Sequence, residues 1–309
     1  MTILLLSTIG PMETWLAALR RAFPDDDVRA APDIGDPQAV EVVVVGHPDA
    51  PLLPRLARVR LIVSLRAGVD DLLAVPGVDP AIPIVRAQEE TGDRMIDLYV
   101  LMHVLRHHRE LPAFADAQAR RAWINRPVKL AEERRVGFMG LGVIGLSAAR
   151  TVRDAGFRVA AWTRTPRTEP GIESFAGRDA LLPFLARTEI LVNLLAVTPE
   201  TMNIIGGRTL AALLQGASVI NIGLGEHVDD EALIAALDSG HLAHATLDVF
   251  RIEPLPADHP FWAHPRITVM PHASRRPRAA AIIPRVVENI RRLRAGEALL
   301  QRVDRTRGY

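Results

Sequence analysis

No cysteine occurs among the 309 residues. Disulfides, thiolate nucleophiles and cysteine-ligated metals are thereby excluded. Lysine is almost as scarce: of 37 basic side chains only Lys129 carries an amine, the rest being arginines. A single candidate amine argues against Schiff-base chemistry, and the arginine excess means that no one guanidinium is diagnostic. Neither charge sign is in surplus, since 37 basic and 36 acidic residues leave a formal +1. Such a balance offers no basic field for nucleic acid and no charged tail. No run approaches the ~18 apolar residues of a membrane span. The opening residues 2–6 are apolar, short and without a basic flank, which reads as a strand rather than a signal peptide. A soluble, cytoplasmic protein is the expectation, and the length suits two domains.

What the chain does contain is concentrated in residues 135–167. A short apolar run, 136–139, reads as a buried strand, and Gly140-Leu-Gly142-Val-Ile-Gly145 follows at once. A helical segment (143–154), a stop at Gly156 and a second apolar run (157–162) complete strand, glycine turn, helix, strand. That context makes the fingerprint a dinucleotide site. Gly140 permits the tight turn, Gly142 admits a pyrophosphate to the backbone, and Gly145 lets helix and strand pack. The first helical amides, at Val143 and Ile144, then face the phosphates, where the helix dipole favours negative charge. At the end of the second strand an NAD site would carry an acidic residue for the ribose hydroxyls. Here the chain reads Thr163-Arg164-Thr165-Pro166-Arg167, with no acid. Two guanidiniums and two hydroxyls suit a 2′-phosphate, which points to NADP(H). The alternative is a solvated arginine-rich loop.

Before this stretch, residues 1–92 alternate apolar strands (3–6, 42–45, 61–65, 82–85) with a helix at 12–23, a parallel α/β pattern without its own glycine fingerprint. The loop Arg66-Ala67-Gly68-Val69-Asp70 follows its third strand, at the end where open α/β sheets place ligands. Residues 94–108 read as a helix with two apolar stripes, Met95, Leu98, Met102 and Leu105 on one and Ile96, Val100 and Val104 on the other. Such a helix must be covered on two sides, as in a linker helix that joins a subunit interface. His103 and His107 have metal-pair spacing but no acidic residue of the HExxH kind between them, so they read as ordinary helix histidines. Further strands are expected at 189–195, 218–222, 243–249 and 267–270, and a helix at 277–293 interrupted by Pro284.

A hydride acceptor needs a proton donor, a group that tunes it, and cationic anchorage if the substrate is a carboxylate. His272, just after a strand, suits the first role. A carboxylate such as Glu253 on its other nitrogen would favour the imidazolium. On spacing alone each is more often an ordinary loop residue.

Taken together, the 140–145 fingerprint, AGVD at 67–70, TLDVFRIEPLP at 246–256, Pro271-His272 and the C-terminal VDRTRGY resemble the D-2-hydroxyacid dehydrogenase family. The nearest branch is similar to bacterial NADPH-dependent glyoxylate/hydroxypyruvate reductases. The resemblance implies two doubly wound parallel-sheet α/β domains, a flavodoxin-like substrate domain (1–92 plus 277–309) and a Rossmann NADP-binding domain (93–276). It also implies a homodimer, no metal, and reduction of a 2-oxo acid with His272 as acid/base and Glu253 as its partner. Asp248 would lie near the nicotinamide amide, with Leu195, Ala196, Ile222 and Gly223 lining the cofactor. The backbone at Arg66, Ala67 and Gly68 would grip the substrate carboxylate.

Four departures qualify that transfer. The family carries N-x-x-R-G where this chain reads Asn221-Ile222-Gly223-Leu224-Gly225, so Leu224 stands at the substrate-binding arginine's place. Arg66 replaces a small residue before AGVD, Gly46 replaces an aromatic, and residues 273–277 run about two residues short of the related reductases. Either Arg66 supplies the guanidinium that Leu224 lacks, or it points to solvent. Two functional readings follow: a reductase of glyoxylate-like or bulkier 2-oxo acids, or an NADP(H)-binding homologue with little dehydrogenase activity.

Overall fold

The computed structural model describes residues 1–7, 11–46, 51–66, 68–87, 94–275 and 279–305, the side chains of Ser7 and Asp70 excepted. Within these limits the chain separates into two compact units, Met1–Glu90 with Arg276–Tyr309, and Thr91–Arg275.

The first unit is a five-stranded parallel sheet of β1 (Thr2–Ser7), β2 (Asp27–Ala30), β3 (Val40–Val45), β4 (Leu61–Ser64) and β5 (Ile84–Arg86), in the order 2-1-3-4-5. That is the flavodoxin-like order. Its central strands are unbroken Val, Ile and Leu runs because both faces are covered. On one face Ile3, Leu5, Val44 and Val63 pack under α1 (Met12–Ala22) and the C-terminal helix Ala279–Ala295. On the other, Leu4, Val43 and Ile62 meet Leu53, Val69 and Leu72, the last within α2 (Asp70–Leu73). Each fully buried aliphatic side chain contributes about 1.5–3 kcal/mol. The C-terminal helix runs through Pro284 rather than breaking there. The proline is sixth in the helix, so it removes one i→i−4 donor without ending the helix.

The second unit holds seven parallel strands: β6 (Arg135–Met139), β7 (Arg158–Thr163), β8 (Ile172–Ala176), β9 (Ile190–Asn193), β10 (Ala217–Asn221), β11 (Leu242–Leu247) and β12 (Ile267–Val269). Their order is 12-11-10-9-6-7-8, so the winding reverses between β6 and β9. Two edge strands, β2 and β8, escape the sequence reading. With one face or edge in solvent they carry too few apolar residues to stand out, only Val28 and Ile172 being buried.

The helices of this unit are α3 (Arg94–His108), α4 (Leu111–Ala119), α5 (Val143–Asp154), α6 (Leu181–Leu185), α7 (Gly207–Ala211) and α8 (Asp230–Asp238). Of the two apolar stripes on α3, Ile96, Val100 and Val104 are buried against Val136, Phe138 and Ala148. The other stripe (Met95, Leu98, Met102, Leu105) stays 42–49 % exposed. His103, His107 and His108 are buried on the inner side, His107 Nε2 lying 2.9 Å from Thr246 Oγ1 and the His108 ring edge-on to Phe157. Trp123, beyond α4, is 95 % exposed. Among the described residues no three His, Asp or Glu side chains are arranged to hold a metal, and no helix is long and apolar enough to cross a membrane.

Candidate active site

The reversal between β6 and β9 is a topological switch point, and doubly wound sheets bind ligands at the carboxyl ends of the strands there. The turn leaving β6 is set by two glycines. Gly140 has φ +95°, a region that side chains rarely adopt, and a Cβ there would also lie 3.0 Å from the Leu194 carbonyl oxygen. At Gly145 a Cβ would come within 2.2 Å of the Gly140 carbonyl oxygen. Gly142 differs. It is the N-cap of α5, no side chain caps it, and a Cβ there would meet nothing among the described residues. The first bond of the helix is Leu146 N–H to Gly142 O at 2.9 Å, so the amides of Val143, Ile144 and Gly145 have no partner inside it. No acidic residue occupies that first turn. Open space at Gly142, amides without a partner inside the helix and a positive dipole end together fit a phosphate group.

Thr163, the last residue of β7, is buried and its hydroxyl donates to the Thr165 carbonyl at 2.7 Å, while Arg164, Thr165 and Arg167 beyond it are exposed. Arg167 reaches back to donate to the Leu141 carbonyl, which sets a guanidinium against the glycine turn. Arg164 lies where its charge acts on Glu200, whose carboxyl is held below its usual range first by its own backbone amide and then by Thr198 and nearby arginines.

The turns after β9 and β10 are tied to each other by groups that the sequence reading did not single out. Asn193 and Asn221, each closing a buried apolar strand, are joined Nδ2 to Oδ1 at 2.9 Å. Asn221 also donates to the Leu224 carbonyl at 3.0 Å, and Asn193 Oδ1 accepts from Leu195 N at 3.3 Å. His227, fully buried, receives Leu224 N–H at 3.1 Å and Asn193 Nδ2 at 3.0 Å on its Nδ1. That leaves Nε2 to donate to the Ala196 carbonyl at 3.2 Å and fixes the neutral tautomer. Leu195, Ala196, Ile222, Gly223 and Leu224 thus belong to one hydrogen-bonded assembly. The asparagines were legible as polar residues ending apolar strands, but their partners were not.

His272 lies after β12, in the left-handed region at φ +49°. Its Nδ1 is 2.7 Å from Glu253 Oε2, and Glu253 Oε1 accepts the Phe250 amide at 2.9 Å. Both side chains are partly open to solvent, at 46 % and 35 %. Asp248 is fully buried, and its carboxylate accepts the amides of Ala273 (2.8 Å) and Ser274 (3.1 Å) and the hydroxyl of Tyr99 (2.7 Å). Nothing in the sequence singled out Tyr99.

In the first unit Arg66 is partly buried and ion-paired with Asp71, and its amide is bonded to Ser64 Oγ at 3.2 Å. Gly68 is half-buried, Gly46 is buried, and Ala67, Arg276 and Pro277 lie outside the described residues.

An anion-binding glycine turn in the same unit as an imidazole–carboxylate pair is the equipment of a dinucleotide-dependent oxidoreductase. Residues 101–274 match the family model described as D-isomer specific 2-hydroxyacid dehydrogenase, NAD binding domain. Among solved structures, a D-isomer specific 2-hydroxyacid dehydrogenase from Xanthobacter autotrophicus Py2, in complex with NADPH and MES, is 41 % identical. It superposes with a TM-score of 0.94 over 100 % of this chain and 99 % of its own. The NADPH-dependent glyoxylate/hydroxypyruvate reductase of Sinorhizobium meliloti, in complex with NADP and sulfate, is 32 % identical over 100 % of this chain and 99 % of its own, with a TM-score of 0.91. A probable 2-hydroxyacid dehydrogenase from Rhizobium etli CFN 42, in complex with NADP, HEPES and L(+)-tartaric acid, has the same identity and coverages and a TM-score of 0.90. The chain belongs to the D-isomer specific 2-hydroxyacid dehydrogenase family.

Proposed function

We propose that this chain is a cytoplasmic reductase that converts a 2-oxo acid to the D-2-hydroxy acid, with NADPH as hydride source and His272 as proton donor. The observation that carries the reading is the 2.7 Å contact between His272 Nδ1 and Glu253. A carboxylate on Nδ1 holds the proton there and leaves Nε2 as the position that exchanges a proton with substrate.

Support for NADPH comes from the crystallised relatives and from Arg164 and Arg167 where an NAD site would carry an acid. Gly140, Gly142, Val143, Ile144 and Gly145 would hold the pyrophosphate. Thr163, Arg164, Thr165 and Arg167 would hold the 2′-phosphate, and Leu195, Ala196, Ile222, Gly223 and Asp248 would line the nicotinamide side. When bound, the coenzyme supplies a hydride to the substrate's carbonyl carbon. The His272 imidazolium then gives its Nε2 proton to the oxygen as negative charge develops there, and Glu253 stabilises the cation until it does so. In the oxidative direction the neutral ring takes that proton back.

Residues 93–276 are assigned as the NADP-binding domain, and 1–92 with 277–309 as the substrate domain. The substrate carboxylate is assigned to Arg66 and the backbone around Ala67 and Gly68. Leu224 supplies no charge, which favours substrates with an apolar group over glyoxylate. The exposed apolar side chains of α3 and α4 (Met95, Leu98, Met102, Leu105, Leu111 and Phe114) suit a second copy of the chain in a homodimer.

A second reading, an NADP(H)-binding homologue with little dehydrogenase activity, is favoured by Leu224 and by the pairing of Arg66 with Asp71. NADPH oxidation with glyoxylate, hydroxypyruvate and bulkier 2-oxo acids separates the two. Turnover on at least one of them is expected. NADPH binding without turnover on any would replace the first reading by the second.

A further inference from the structure

We infer that Tyr99 is a positioning residue for the proton donor: its hydroxyl fixes the buried Asp248 carboxylate, and that carboxylate fixes the turn that presents His272. The catalytic consequence rests on the reading of His272 given above; the mechanical one does not.

His272 has φ +49°, a conformation that a residue with a side chain rarely adopts unless contacts impose it. Beside a bond from the His272 amide to the Met270 carbonyl at 2.9 Å, most of these contacts come from Asp248. Its carbonyl accepts the His272 amide at 2.9 Å, its Oδ1 accepts the Ala273 amide at 2.8 Å, and its Oδ2 accepts the Ser274 amide at 3.1 Å. Three consecutive amides of the turn are therefore bound to one residue, which is itself tied to the end of β10 by its own amide, 3.0 Å from the Asn221 carbonyl.

A carboxylate with no exposed surface must be compensated by donors. Among the described residues no cation forms an ion pair with Asp248. Besides the turn's amides it has the Tyr99 hydroxyl, 2.7 Å from Oδ1 and contributed from 149 residues away on α3. Burial, and then Asp248 itself, push the Tyr99 phenol well above its ordinary range, so it stays a donor at any working pH. The ring is steadied by His103, edge-on with centroids 4.5 Å apart. Oδ1 thus takes one bond from the turn and one from the helix. Losing the second frees the carboxylate to rotate, and the Ala273 and Ser274 amides would follow it. Glu253 orients the ring of His272, whereas Tyr99 and Asp248 orient the backbone that carries the ring.

The test compares wild type, Tyr99→Phe, Asp248→Asn and the double variant as full-length protein. Two readouts are needed: amide hydrogen exchange at Ala273 and Ser274 without coenzyme, and kcat and KM with NADPH and the 2-oxo acid that wild type reduces. Tyr99→Phe is expected to speed exchange at both amides about tenfold while leaving the core strands unchanged. It is also expected to lower kcat about tenfold with KM within about twofold, because misplacement of a donor affects the reacting geometry more than binding. In the Asp248→Asn background the same change should add less than about twofold, since both act through one carboxylate. Unchanged exchange at the two amides overturns the inference, as do effects that multiply in the double variant. Faster exchange in a protein that turns over no 2-oxo acid would uphold the clamp and sink the reductase reading. An active wild type with an unaltered Tyr99→Phe variant would do the reverse.

Discussion

Two turns of the second unit leave the carboxyl ends of parallel strands, and they are built on opposite principles. The 140–145 turn is made by backbone: a positive-φ glycine, a glycine where no Cβ fits, and helix amides pointing at open space. The 270–274 turn is made by side chains from elsewhere: Glu253 on its imidazole, and Asp248 on its amides with Tyr99 behind. A backbone site is robust to surface change and recognises what any phosphate offers. A side-chain site can tune one proton, and each of its parts is a separate point of failure.

The contrast predicts a graded series. His272→Asn should lower kcat/KM for 2-oxo acids by roughly 10²–10⁴ while NADPH still binds, as followed by nicotinamide fluorescence. Retained turnover would show that the side-chain turn does not carry the chemistry. Glu253→Gln should cost less and change the pH profile. The carboxylate stabilises the imidazolium, so without it the proton is lost at lower pH and the alkaline limb of the reduction profile moves to the acid side. A limb that stays in place would detach Glu253 from the proton.

On the backbone side, Arg164→Ala with Arg167→Ala should reduce the preference for NADPH over NADH by about 10–100-fold per lost charge-assisted contact. An unchanged preference would return these arginines to the solvated surface. Gly145→Ala and Gly142→Ala should part company. The first forces a Cβ to within 2.2 Å of a carbonyl oxygen and should lower the melting temperature; the second meets nothing and should leave it within a degree or two while weakening NADPH binding. Equal stability loss in both would refute the open space inferred at Gly142.

A separate effect concerns two buried histidines and is read in stability rather than in turnover. His103 and His244 are buried, and burial, followed by the charge of Arg106, lowers both to about 4. Because the folded values lie below the unfolded value of about 6.5, the unfolded chain binds the extra protons. Stability is therefore full above pH ~6.5 and falls as the pH drops toward ~4, by on the order of a few kcal/mol if both sites contribute. Thermal unfolding at pH 7, 5.5 and 4.5 measures this, and a flat response would contradict the burial of the pair.

Much of the first turn and little of the second was legible in the sequence. Glycine spacing and two flanking apolar runs are local patterns, so the parallel α/β organisation and the glycine turn between strand and helix could be read residue by residue. The edge strands β2 and β8 could not, since their few apolar residues give no pattern. His272 and Glu253 were nameable from a strand end and a nearby carboxylate, but spacing did not join them as a pair; the family resemblance did. Arg66, read as a possible replacement for the guanidinium missing at Leu224, is paired with Asp71, a contact that loop sequence does not announce.

Composition and short-range spacing by themselves determined the absence of thiol chemistry, the alternation of strands and helices, and the glycine turn that leads from β6 into α5, because these depend on backbone freedom and period. Tertiary structure alone decided that Asp248 is buried, that Tyr99 caps it, and that His227 is held as one tautomer between two loops. A hydrogen bond depends on distance in space, and the partners here lie up to 149 residues apart along the chain.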